Sequence, residues 1–263
     1  MAVRPVQPLR QFHSGSPAPY NVTDMPAVII AHRTCPRHAP ENSLQGIRRA
    51  AELGADCVEI DVQRTLDGVP ILMHDKTLWR TAGLYWPARL LPYSLLRRLH
   101  LKGGSERVPT LAEALTALPL GLTIAIEIKH ASAAAATLVE VRRQRLERRT
   151  LLWSMHGKAV RHTAGEAPEI ETALLRSVRR AGRLRRFLDD ALRFGAGGVS
   201  AHWQAITATF VGEAHQRGLK VYSMSPDTES IAAKLALGLD GIITDWPQEA
   251  RAALPSSRRA VTG

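Results

Sequence analysis

Cysteine is nearly absent: Cys35 and Cys57 are the only two in 263 residues. Two thiols make no disulfide framework and fit a reduced compartment. No stretch approaches the roughly 18 consecutive apolar residues that mark a membrane span. The start, MAVRPVQPLRQFHSGSPAPYN, lacks the apolar core of a secretory leader, so residues 1–25 read as a tail and the cytoplasm is the expected location. Glycine is missing from HRTCPRHAP, the loop after the first apolar run. An open doubly wound sheet would want a glycine-rich phosphate loop there. His32, Cys35 and His38 have a zinc-like spacing, but four ligands are usual and no fourth stands near.

Acid is scarce relative to base, and the formal charge is +11. Such a balance favours non-specific contact with nucleic acid, anionic lipid or acidic substrates. Two runs carry much of it, Arg142 to Arg149 and Arg176 to Arg186. Within VRRQRLERR, Val141 and Leu146 offer a buried stripe and the arginines a solvated face. No aromatic residues interleave with them and no nucleic-acid module accompanies them, so no nucleic-acid partner is expected. Weak contact of these basic helices with a membrane surface stays open.

The densest chemistry lies in VEIDVQRTLDGVPILMHD, from Val58 to Asp75. Side chains alternate along a strand, so Glu59 and Asp61 share one face while Val58, Ile60 and Val62 share the other. Asp67-Gly68 between two alternating apolar runs signals a two-residue hairpin turn, whose central positions need positive φ. That turn sets Leu66 against Val69 and, counting outward, Asp61 opposite His74. Two acids and an imidazole then meet on one side of one hairpin, which suits catalysis or a metal.

Around this stretch strand and helix alternate. AVIIAH ends at His32, and PENSLQGIRRAAELG reads as a helix with Pro40 in its first turn, Glu41 at its start and Gly54 at its end. CVEIDV is the second strand. The connection from about 76 to 108 is too long for a simple loop and predicts an insertion over the mouth of the fold. TLAEALTALP is a helix in which Thr110 and Glu113 form a capping box. TIAIEIK follows, with Ile124, Ile126 and Ile128 on one face and Glu127 and Lys129 on the other. TLLWSM, IETALL, GGVSAH, KVYSMS and GIITD complete eight strands separated by helical patterns. Eight such units predict an α/β fold, a closed (β/α)8 TIM barrel over residues 26–252, with a tail over 253–263.

A barrel of this kind carries its site at the C-terminal ends of its strands. There the sequence places His32 and Arg33, Glu59 and Asp61, and Glu127 and Lys129, with His74 returning from the hairpin. Three carboxylates from two strands suit one hard divalent cation, Mg²⁺ or Ca²⁺, better than zinc. Arg33 and Lys129 beside that cation imply an anionic ligand, and phosphate fits best. The two histidines are then candidates for general acid and base.

IIAHR, APENS, GADCVEIDVQRTLDGVPILMHD, IAIEIK and GLDGIITDWP, in that order from about Val28 to Pro247, resemble the glycerophosphodiester phosphodiesterases. The resemblance implies a distorted (β/α)8 barrel with a β-hairpin after strand 2 and a small insertion over the catalytic face. It implies Glu59, Asp61 and Glu127 as metal ligands, His32 and His74 as the acid–base pair, and Arg33 and Lys129 on phosphate oxygens. Glu41 and Asn42 match a Pro-Glu-Asn element supporting the site, and Tyr222 falls where the family often has a tryptophan against the substrate. The implied reaction is metal-dependent hydrolysis of a glycerophosphodiester to glycerol 3-phosphate and an alcohol.

This sequence departs from the family at the mouth. Thr34 stands where the family has a glycine after His-Arg, and Arg37 where a small residue is frequent. Both are expected at the substrate's entry, with Arg37 repelling a choline head group. Leu84, Tyr85, Trp86 and Leu90 raise a second substrate class, since an apolar surface at the mouth would take the acyl chain of a lysophospholipid. His202 and Trp203 are further candidates to line the pocket. A catalytically inactive binding barrel is a third reading, but a pure binder has no use for both histidines.

Overall fold

Alternation along each strand divides its side chains between two cores, and closure of the sheet makes one of them the inside of a barrel. The structure, a computed structural model, describes residues 27–254. Its strands are β1 (Val28–Ala31), β2 (Cys57–Arg64), β3 (Pro70–Leu72), β4 (Thr77–Leu78), β5 (Leu84–Pro87) and β6 (Thr123–Ile128). They continue as β7 (Thr150–Ser154), β8 (Glu171–Leu175), β9 (Gly198–Ser200), β10 (Lys220–Ser225) and β11 (Gly241–Thr244). β2 pairs with β6, β6 to β11 follow side by side, and β11 pairs with β1, which also pairs with β2, all in parallel. This circle of eight strands is the (β/α)8 barrel, and it uses the eight runs read from the sequence. β3 is the antiparallel return arm on β2, and β4 and β5 form a small separate ribbon.

The helices are α1 (Leu44–Glu52), α2 (Trp79–Ala82), α3 (Tyr93–Leu96), α4 (Leu111–Thr116) and α5 (Ala134–Arg143). They continue as α6 (Gly157–Glu166), α7 (Leu184–Arg193), α8 (Ala208–Gln216), α9 (Glu229–Leu235) and α10 (Pro247–Ala253). Val58, Ile60, Val62, Ile124, Ile126 and Ile128 face outward under α1, α4 and α5 in one buried layer. Each such side chain contributes about 1.5–3 kcal/mol on burial. Inside the barrel a second layer holds Ile30, Cys57, Ala125, Trp153, Ala173, Tyr222 and Ile243. The insertion has its own core, in which Leu78, Ala88, Leu96, Leu101 and Val108 pack on Ile71 and Met73 of the return arm.

Three local expectations change. The hairpin turn has three residues, not two: Thr65 N–H donates to Val69 O at 3.0 Å, and Gly68 takes φ 91°. Thr65 supplies the reason, because its hydroxyl donates to Asp67 and accepts the Val69 N–H, so one left-handed residue completes the turn. The register therefore slips by one, and Asp61 O accepts from Met73 N–H at 2.9 Å instead of facing His74. α1 begins at Leu44, with Ser43 as its cap accepting from Gly46 N–H. Pro40 and Glu41 stay outside because Asn42, at φ 55°, turns the chain toward the barrel. The capping box at Thr110 and Glu113 forms as expected. At the C-terminal end the barrel runs further than 252, since Leu254 is buried with Ile29, Ile231, Ile242 and Ala250. The expected tail over 1–25 and the remainder of the C-terminal one lie outside the described residues.

Candidate active site

β2 brings Glu59 and Asp61 inside the barrel at its C-terminal end, and β6 brings Glu127 alongside, in register with Asp61. One oxygen from each of the three carboxylates lies within 4.8 Å of the others. Glu59 and Asp61 are buried and Glu127 is nearly so. Burial and then the Asp61 charge push the Glu59 carboxyl up to about 8. Burial acts the same way on Asp61, but the charges of Lys129, His74 and Arg33 outweigh it and hold that carboxyl below its ordinary value. Three crowded acids of which one resists ionisation are what a divalent cation would relieve. Asp61 Oδ1 is buried without a hydrogen-bond partner in line, though the Lys129 ammonium is 2.7 Å away. An all-oxygen donor set with an open buried lone pair fits Mg²⁺ or Ca²⁺. It is the one such cluster among the described residues. Cys35, the sulfur of the zinc-like trio, is buried with its thiol pushed up to about 12 by burial and the Asp245 charge.

The loop after β1 reaches these acids through its backbone. Arg33, Thr34 and Cys35 all have positive φ, at 43°, 62° and 69°. That rarely populated sequence aims the Arg33 N–H at Glu59 Oε2, 2.8 Å away. The Arg33 guanidinium folds back over the mouth, its Nε 3.6 Å from Asp61 and its Nη1 3.8 Å from Glu41. Asn42 holds Asp61 twice, its amide donating to Oδ2 at 2.8 Å and its carbonyl accepting the Asp61 N–H at 2.9 Å. Lys129 completes the cluster, 2.7 Å from Asp61 and 2.9 Å from Glu127. Burial pulls its pKa down, and the two carboxylates more than reverse that.

Each histidine is backed by a carboxylate. His32 Nδ1 is 2.8 Å from Asp245, which follows β11, and His74 Nδ1 is 2.7 Å from Asp75. A carboxylate on Nδ1 fixes the hydrogen there and leaves Nε2 for the cavity. Burial lowers the His32 pKa, but the Asp245 hydrogen bond and the Glu59 charge outweigh it, and the net direction is up. Asp75 is braced from the insertion, where Arg80 Nε donates to it at 2.6 Å and both terminal nitrogens of Arg80 donate to Glu41. Against the upward pull of burial, the Arg80 and His74 bonds hold the Asp75 carboxyl down at about 2. Gln63 donates to the carbonyls of Met73 and His74, pinning the loop that carries the second histidine.

Seven of the eight residues singled out for chemistry therefore meet at one end of the barrel. Tyr222 is the exception. Its ring lies 4.9 Å from that of Trp153 in the barrel interior, and its hydroxyl donates to Glu171 at the N-terminal start of β8. A Cβ on Gly198 or Gly241 would meet the Tyr222 ring at 2.9 or 2.8 Å, so two glycines make room for it in the floor. The expected aromatic wall at the substrate is thus a plug beneath the site. Thr34 is likewise not at the entry. It is buried, accepts the Ser43 N–H on its hydroxyl, and packs where a side chain on Gly46 would stand. Arg37 is exposed, with its guanidinium 4.9 Å above the Trp246 ring. His202 caps the short turn at Trp203 after β9 and stacks on that ring.

Asp245, Asp75, Arg80 and Gln63 had no assigned role. Asp75 directly follows His74, and Asp245 ends the strand that a closed barrel must set beside β1, so both were within reach of the pattern. Arg80 was hidden in the insertion.

The sequence and the fold recur in known proteins. The model of the Glycerophosphoryl diester phosphodiesterase family matches residues 32–249. The chain belongs to that family. A glycerophosphodiester phosphodiesterase of Caldanaerobacter subterraneus subsp. tengcongensis is 28% identical over 237 residues, covering 85% of this chain and 96% of that one. Glycerophosphodiester phosphodiesterase 1 of Mus musculus is 43% identical over 122 residues, only 43% of this chain and 37% of its own length. Among solved structures, an Oleispira antarctica phosphodiesterase in complex with the product sn-glycerol-3-phosphate is 27% identical. It superposes with a TM-score of 0.76 over 86% of this chain and 96% of that one.

Proposed function

We propose that this chain hydrolyses glycerophosphodiesters to glycerol 3-phosphate and an alcohol, with one divalent cation, Mg²⁺ or Ca²⁺, as cofactor. The observation that carries the reading is the meeting, at one mouth, of the Glu59–Asp61–Glu127 cluster with two carboxylate-backed histidines. Glu59, Asp61 and Glu127 would hold the cation, which supplies polarisation of a phosphoryl oxygen and offsets charge in the transition state. Arg33 and Lys129 bind the other phosphate oxygens. Asn42 keeps Asp61 oriented by its paired hydrogen bonds. Of His32 and His74, one takes the proton of the attacking hydroxyl or water, and the other gives a proton to the leaving alkoxide. Nδ1 of each stays on its aspartate, so both transfers use Nε2.

A second substrate class, the lysophospholipids, is favoured by one observation: Trp79, Tyr85 and Trp86 are exposed on the insertion beside the mouth. Purified protein assayed on glycerophosphocholine, glycerophosphoethanolamine, glycerophosphoinositol and a lysophospholipid, with and without chelator, separates the readings. Activity should vanish in EDTA and return with Mg²⁺ or Ca²⁺ more than with Zn²⁺; full turnover by metal-free protein would overturn the proposal. His32→Ala and His74→Ala should each lose roughly 10²-fold or more in kcat. Calorimetric metal affinity should survive both changes, and its collapse in either would make that histidine a ligand.

A further inference from the structure

Ten large apolar side chains are exposed among the described residues, and five of them lie within residues 76–108. Trp79, Tyr85 and Trp86 are 58%, 76% and 55% exposed, and Leu90 and Leu95 nearly half. A sixth, Leu66, is at the hairpin tip, where its N–H donates to Leu91 O and joins the same surface. These residues are not exposed for want of a core, because the insertion buries its own apolar layer beneath them. The same segment holds seven lysines and arginines against one acid, Glu106. Arg89, Arg97 and Arg98 are exposed on it.

Topology puts this patch on the catalytic side. The hairpin extends β2 past Asp61, and Arg89 and Lys76 are near enough to His130, which follows Lys129, to add to the lowering of its pKa that burial begins. Arg145 to Arg149 precede β7 and so lie at the opposite end of the barrel, with Arg149 donating to the carbonyls of Pro119 and Leu122. In the other run Arg176 is paired with Asp190 and Arg185 with Glu213. The rest of that run, Arg179, Arg180, Arg183 and Arg186, is exposed but has no aromatic residue among its arginines, whereas the insertion combines exposed cations with exposed aromatic rings.

We propose that the insertion is a docking surface for an anionic lipid bilayer, which it meets with the barrel mouth facing the headgroups. Tryptophan and tyrosine with an apolar body and a polar tip settle at the headgroup level, and surrounding cations are drawn to anionic lipid. Each such cation strengthens partition by about fivefold. Exposed aromatic rings among cations, with a single acid in the segment, suit a lipid surface that deforms around them better than a protein of fixed shape. No helix among the described residues is long and apolar enough to cross a membrane, so the contact is peripheral. The surface stands whether or not the activity reading does.

The test is sedimentation of the full chain with phosphatidylcholine vesicles, with and without phosphatidylglycerol. The chain should bind the mixed vesicles, release them in high salt, and leave pure phosphatidylcholine largely unbound. Tyr85→Ser/Trp86→Ser should bind at least roughly tenfold more weakly, the scale of partly burying two aromatic side chains. Its circular dichroism and melting temperature should match the parent, since both side chains are exposed. Absence of binding, equal binding by the double variant, or self-association of the parent that the variant abolishes would each overturn the proposal. The last would assign the patch to a second copy of the chain.

Discussion

Asp245 reaches across 213 positions of chain to hold His32 Nδ1 at 2.8 Å. Removing its charge while keeping its shape is the most direct probe of that histidine. Asp245→Asn no longer favours the imidazolium, so the His32 pKa falls from its raised value. The limb of the kcat/KM profile that belongs to His32 should move to lower pH, and kcat should fall roughly 10²-fold. Movement of the acidic limb identifies His32 as the base, and movement of the basic limb identifies it as the acid. A profile that keeps its shape would leave Asp245 a structural residue only.

Arg80 joins Asp75 to Glu41 from outside the barrel. Arg80→Met should lower kcat about tenfold with little change in KM, because His74 keeps Asp75 but Asp75 loses its brace. The variant should also tolerate acid less well. The Asp75 carboxyl is depressed from 3.8 to about 2, so its contribution to stability is complete above 3.8 and lost as pH falls through about 2. Without Arg80 that lower edge rises, and tryptophan fluorescence should report unfolding at a higher pH than in the parent.

Tyr222 offers a test of floor against wall. Tyr222→Phe removes the hydroxyl from Glu171 and should cost about 2 kcal/mol in denaturant unfolding, the scale of a hydrogen bond to a charged group. KM for every substrate should stay as in the parent. A selective rise in KM would return Tyr222 to the substrate surface.

Thr34→Gly should leave the ratio of kcat/KM between glycerophosphocholine and glycerophosphoinositol unchanged, since the side chain is buried behind the loop. Relief of the positive φ returns about 1 kcal/mol, but the buried Ser43 N–H left without its acceptor and the cavity against Gly46 together cost more, so the melting temperature should fall modestly. A shifted ratio would place Thr34 at the entry after all.

The barrel was legible because its signals are periodic. All eight strands follow from short runs set between helical patterns, and closure follows from their number. Glu59, Asp61, Glu127 and Lys129 were legible for the same reason, since parity along β2 and β6 decides which side chains face inward. The hairpin register was not, because it hung on one residue of turn length, and the Thr65 hydroxyl decided that length. Thr34 misled because it holds a conformation that usually calls for glycine while its side chain finds a buried site against Gly46. Tyr222 misled because the resemblance alone placed it at the substrate, and a matching position does not say whether a ring points up to the mouth or down to the floor; the glycines at 198 and 241 mark where the ring lies.

Closure of the barrel also sets when the chain becomes chemically competent. β11 is the last of the eight barrel strands to leave the ribosome, and it both seals the gap beside β1 and delivers Asp245 to His32. A nascent chain that has already emerged through β10 holds the three acids, both histidines and Arg80, yet has no finished first histidine. Whatever such an intermediate binds, it should turn over little until the final strand docks.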